Sequence, residues 1–213
     1  DIEELFYAAT LTEDNGTKKV IYGSIIEFYP KCWRSVNNAA AVELAEGNYE
    51  IAHDLLMKGA EMNENSFEVQ NNIGIYNMMV GEYPKAELSF YKAQDLGGDE
   101  NYNLGLVNIA LGDYGKAVTF LSGASCDFNL GLAQLLNGNA NAAEKTFKCA
   151  PQDAETLYLL AITAARQDNK SNMLNYLGQS IKADPEVAGL AASNLEFKDY
   201  YNDADFKALV NSN

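Results

Sequence analysis

Four glycines set the terms on which this chain can fold. Gly47, Gly81, Gly112 and Gly138 each stand in a short turn between two helical patterns, in AEGNYEIA, MVGEYPKA, ALGDYGKA and LNGNANAA. Other residue types recur at constant offsets from them. Seven residues before stand Ala40, Gly74, Gly105 and Gly131; five after stand Ala52, Ala86, Ala117 and Ala143. Nine after come Leu56, Phe90, Leu121 and Phe147, and twelve after come Gly59, Ala93, Ala124 and Ala150. Antiparallel helices approach closely only where small residues meet at the crossing, so Ala52 is expected to face Ala40 and Ala86 to face Gly74. The large apolar column fills the space between hairpins, and the second small column lets the next hairpin dock. A single hairpin cannot bury its apolar face alone, so this register calls for a stack.

The remaining composition agrees with an all-α chain. Helical periodicity dominates the longest patterned segments, and only four prolines interrupt 213 residues. Hydrophobic residues at 47% and charged residues at 21% place the chain among folded rather than disordered sequences. The formal net charge of −15 disfavours nucleic acid and anionic headgroups as partners. No apolar run is long enough to span a bilayer. The chain opens at Asp1 with a helical pattern and no Met, as expected of a processed chain or an excised part of a longer one.

The register resembles the tetratricopeptide repeat family. Gly47 and Gly81 lie 34 residues apart, the period of that family, and Tyr49, Tyr83 and Tyr114 match its aromatic position. The next spacings shorten to 31 and 26, which calls for trimmed helices. A fifth unit runs from about Asp153 to Pro185, with Asp168 or Asn169 in place of the glycine and a family-like ADP ending; a weaker unit spans Ile2 to Pro30. The family's early tryptophan is absent from every unit. The resemblance implies an all-α, right-handed superhelical solenoid of antiparallel helix pairs, read as one domain. The pairs are expected at about 1–31, 33–66, 67–99, 100–124, 126–152 and 153–185, with a cap over 186–213. In that cap EVAGLAASNLEF is expected as one amphipathic helix, with Phe206 and Leu209 tucked behind it.

Nine residues before the glycines stand Asn38, Asn72, Asn103 and Asn129. Asparagine is a poor residue for a helix interior, because its amide competes for backbone hydrogen bonds. In the family the first helix of each pair lines the concave groove, and such an asparagine holds the backbone of a bound peptide. The resemblance therefore implies a peptide-binding site of Asn38, Asn72, Asn103 and Asn129, flanked by Asn71 and Tyr102. The alternative is that each amide bonds to a neighbouring hairpin and fixes stacking. The preceding residues are Asn37, Asn71, Tyr102 and Phe128, and three after come Ala41, Ile75, Leu106 and Leu132, all uncharged. Relatives that grip a terminal carboxylate carry Lys and Arg here, so a neutral or apolar segment is the expected ligand.

Cys126 and Cys149 flank the fourth hairpin at nearly equal distances from its turn, which permits a disulfide. Two reduced, packed thiols are the alternative. A disulfide would imply an oxidising compartment such as the periplasm. Cys32 is expected as a partly buried thiol beside Trp33. The lone histidine, His53, has no clustered ligands, and GDYGK lacks phosphate-loop spacing, so no enzyme activity, metal or cofactor is expected. Asn15-Gly-Thr17 and Asn169-Lys-Ser171 fit a glycosylation sequon, relevant only in a eukaryotic secretory pathway. The function expected is a protein-interaction module with a peptide or protein partner; the alternative is a spacer or scaffold within a larger envelope protein. LEFKDYYNDADFKALV with YNLG and FNLG is similar to tetratricopeptide regions of Bacteroidetes envelope proteins, some of which carry an outer-membrane-protein-A type module. That similarity implies a periplasmic or outer-membrane-associated location, with the cytoplasm as alternative.

Overall fold

The computed structural model describes residues Asp1–Asn211. Among them every regular element is helical, and the chain divides into two compact units, Asp1–Leu111 and Gly112–Asn213.

The first unit holds α1 (Ile2–Thr10), α2 (Asn15–Phe28), α3 (Trp33–Ala45), α4 (Tyr49–Met62), α5 (Phe67–Met79), α6 (Tyr83–Asp95) and α7 (Asn101–Leu111). Each helix packs on the next, and α3 also touches α5 directly, so first helices of successive pairs lie side by side. Side-chain oxygens of Asp14 and Ser66 accept from backbone N–H groups of α2 and α5, which defines where those helices start. Ala40 and Ala52 are both fully buried and share one cluster with Leu44 and Leu56. In the next pair Gly74 lies under Phe90: a Cβ added at Gly74 would fall 2.5 Å from the ring. In these two pairs the small column serves the large one, with Ala40 matched to Leu56 and Gly74 to Phe90.

The second unit holds α8 (Tyr114–Leu121), α9 (Phe128–Leu136), α10 (Ala140–Cys149), α11 (Ala154–Arg166), α12 (Lys170–Ala183), α13 (Val187–Ser193), a 3-10 helix (Leu195–Tyr200) and α14 (Ala204–Val210). Here Phe147 lies over Gly131 in the same way, 2.5 Å from where a Cβ would stand. Cys126 and Cys149 are joined by a disulfide with Cα atoms 5.0 Å apart. Cys126 lies before α9, with a positive φ of 63°. Cys32, in the first unit, is half-buried and free.

The turns show why glycine recurs. Gly47 and Gly81 have φ of 75° and 79°, Gly138 has 80°, and Asp168 adopts 55° in the fifth repeat. At each, two bonds close the helix end: Gly47 N–H donates to Leu44 and Asn48 N–H to Glu43, and the pattern repeats at Gly81, Gly138 and Asp168. Aspartate tolerates this region better than most side chains, so the turn survives without glycine.

The C-terminal segment departs from expectation. The stretch 186–197 is not one helix: it breaks after Ser193, where Asn194 turns extended and its side chain caps the following 3-10 helix through Glu196 N–H. The break brings Phe197 into the core at 0% exposure, against Phe206 at 5.7 Å and Tyr158 at 5.9 Å. A continuous helix would have carried Phe197 past that site. Leu209 packs beside Gly178, and Arg166 clamps the segment with two bonds to Glu196 (2.8 and 2.6 Å) and one to the Leu135 carbonyl.

Candidate functional site

The first helices of the first unit place the asparagine column on one surface. Nine, six and two residues before the glycines stand Asn38, Ala41 and Ala45 on α3, Asn72, Ile75 and Met79 on α5, and Asn103, Leu106 and Ala110 on α7. None is charged. Met79 is 56% exposed, and Tyr102, next to Asn103, is 45% exposed. The strip opens at α3 into a cleft of about 430 Å³, where Asn38, Ala41 and Ala45 face Tyr22, Lys18 and Glu13.

The amides are connected. Asn103 Nδ2 donates to Asn71 Oδ1 at 2.9 Å and to Glu100 at 2.9 Å. Asn71 Nδ2 donates to Asn72 Oδ1 at 3.3 Å, and Asn72 Nδ2 donates to Asn37 Oδ1 at 3.0 Å. One polar chain therefore runs from α7 across α5 to α3: Asn103 donates to Glu100 at one end, and Asn103, Asn71 and Asn72 donate in turn toward Asn37 at the other. Asn37 and Glu100, at its two ends, are each 4% exposed. Burial pushes the Glu100 carboxyl above its usual range; the Asn103 amide works against that shift, and nearby Asp99 adds to it.

The structure thus separates residues that sequence placed in one class. Asn71, Asn72 and Asn103 join each other, whereas Asn38 has no hydrogen-bond partner among the described residues and borders the open cleft. Asn129 occupies the same register position on α9 of the second unit, half-buried, beside Phe128, whose ring lies 6.0 Å from Phe147. Two members of the chain were missed. Asn37 carried a signal, because Asn37 and Asn71 repeat at 34 residues just as Asn38 and Asn72 do. Glu100 carried none, since nothing in its neighbourhood marks it as buried.

No protein-family model and no curated protein matches the sequence. Solved structures do. The Pseudomonas aeruginosa protein pilF superposes with a TM-score of 0.73 at 17% identity, over 93% of this chain and 96% of that one. PilW, a widely conserved type IV pilus biogenesis factor, gives 0.73 at 15%, over 93% and 97%. YrrB, a tetratricopeptide repeat protein with an unusual peptide-binding site, gives 0.65 at 22%, over 78% and 93%. The chain has the tetratricopeptide repeat fold. In a tetratricopeptide register the strip described above belongs to the first helix of each repeat, the helix that carries Asn38, Asn72 and Asn103. Among the described residues no helix of this repeat array is long and apolar enough to cross a membrane.

Proposed function

We propose that the chain is a protein-interaction module of the tetratricopeptide family whose first unit binds an extended polypeptide segment along the strip on α3, α5 and α7. The observation that carries this reading is the absence of charge from the strip. The first unit holds 18 acidic and 7 basic side chains, a net −11, yet nine register positions across three helices carry none. Ile75 packs on the Leu44 and Leu56 cluster, but solvation alone gives no reason for Met79, 56% exposed, to stand in so acidic a surface. Asn38 offers a donor and an acceptor to a peptide backbone, Tyr102 offers a ring, and Asn71, Asn72 and Asn103 hold the three helices in register through their mutual bonds. Asn129, at the same register position on α9, is proposed for the same use within the second unit. The peptide-binding site named for YrrB is consistent with this use of the fold.

The Cys126–Cys149 bond favours an oxidising compartment, and with the likeness to a pilus biogenesis factor it supports an envelope location. An assembly scaffold is the second reading, and it puts the contacts outside the strip.

Selection of a displayed random peptide library tests the proposal. Wild-type protein is expected to enrich neutral, apolar-rich peptides, and Met79→Glu with Leu106→Glu to enrich none of them while melting at an unchanged temperature. Asn38→Ala should weaken the selected peptides without loss of stability. Asn72→Ala should cost about 1–2 kcal/mol of stability, because it strands the buried Asn37 amide and the half-buried Asn71 amide. Equal enrichment by the Met79→Glu, Leu106→Glu protein would remove the strip from the function.

A further inference from the structure

A second recess lies apart from the strip, between the start of α4 and the end of α5. It is a cleft of about 540 Å³ lined by Tyr49, Glu50, His53, Asp54, Tyr76 and Val80. Three of these six are aromatic. The His53 and Tyr76 rings stand 5.3 Å apart, tilted at 47°, and fix one wall. Two are carboxylates on one face of α4, four residues apart. Asp54 is 89% exposed and meets only His53, at 3.5 Å, while Glu50 has no partner among the described residues. No lysine or arginine lines this recess; the nearest adjoining cleft ends at Lys85, whose ammonium is already paired with Glu82 at 3.3 Å.

Aromatic faces attract cations through their negative quadrupole, and rim carboxylates that no lysine or arginine pairs add charge of the matching sign. The unit's net −11 adds a long-range field of that sign. We propose that this cleft receives a lysine or arginine side chain from a basic segment of a partner protein. The cation sits against Tyr76 and Tyr49 and pairs with Glu50 and Asp54. The site is independent of the strip, and a partner could engage it whether or not the strip binds peptide.

His53 is the only histidine in the chain, so its imidazole resonance reports on the cleft without ambiguity. Full-length protein is titrated at physiological salt with hexa-arginine and, separately, hexa-lysine, using hexa-glutamate as the control. The expected result is a saturable shift of the His53 ring signals with the cationic peptides alone. Glu50→Gln with Asp54→Asn should weaken that binding roughly three- to tenfold, and Tyr76→Leu should weaken it too. Glu61→Gln with Glu64→Gln removes the same charge from the same unit outside the cleft and should leave binding nearly unchanged. A His53 signal that does not move overturns the proposal. So does an equal loss in the Glu61, Glu64 pair, which would mean attraction to bulk charge alone.

Discussion

In the first unit the α3–α4 and α5–α6 pairs use helices of 13 or 14 residues. In the second, α8, α9 and α10 have 8, 9 and 10. Helices of two to three turns bury little surface and gain little from cooperativity. The second unit adds constraints that the first lacks. A disulfide ties the open end of α9–α10, and an apolar cluster that includes Phe147, Leu160, Phe197 and Phe206 joins α9–α12 to the C-terminal cap. The α3–α4 and α5–α6 pairs have the longer helices, and a chain of amides links α3, α5 and α7. Charge divides the same way. The first unit carries net −11, whereas the second, with 12 acidic and 8 basic side chains, carries −4. The shortened repeats are held here by covalent and apolar contacts, and the α3–α4 and α5–α6 repeats carry part of the strip proposed for recognition.

Phe197→Ala would strike the second unit hardest. Emptying a fully buried phenylalanine site should cost about 3–5 kcal/mol. Trp33, the chain's only tryptophan, lies in the first unit, so its fluorescence is expected to keep its denaturation midpoint while the helical circular dichroism signal gains an earlier transition. If both signals shift together, the units unfold as one and the contrast between them fails.

Cys149→Ser should cost about 3 kcal/mol for the loop of 23 residues, again confined to the second unit. Adding reductant to the wild type should reproduce the loss, and reductant should leave the variant unaffected.

Gly74→Ala tests the matched columns within the first unit. Alanine gains about 1 kcal/mol of helix propensity, but its Cβ would press on Phe90 at 2.5 Å. A net loss of about 1–3 kcal/mol is expected. Adding Phe90→Leu should recover most of it, because it recreates the Ala40 and Leu56 arrangement. Failure of that rescue would mean that the Gly–Phe pairs do more than fill space.

The smallest effect is expected at Glu100. Its folded-state pKa is raised above the ordinary 4.5, so the folded form holds the proton more tightly than the unfolded form. Its contribution is full below that ordinary value and is lost as pH rises through the raised one. Glu100→Gln still accepts from Asn103 and should melt slightly higher than wild type at neutral pH, with no advantage near pH 4.

Much of the fold was legible because its signals are local. A positive φ at Gly47 or Gly138 depends on the few residues of one turn, and the offsets linking Gly74 to Ala86 and Phe90 span one hairpin. The resemblance to a repeat family added the expected stacking. The cap was only partly legible. Phe206 was placed inward by its apolar spacing, but the break at Asn194 was hidden, because its side-chain bond to the Tyr158 hydroxyl and the burial of Phe197 are tertiary contacts.

The candidate site divides along the same line. The sequence determined that four asparagines share a register and that their flanks are uncharged. Which of them are joined and which stand open was decided by tertiary structure. The partner of Asn72 is 35 residues away and that of Asn103 is 32 away, one repeat plus one residue in each case. The pairing runs diagonally to Asn37 and Asn71 rather than straight along the column. An amide finds the nearest acceptor in space, and the packing of whole hairpins sets that distance.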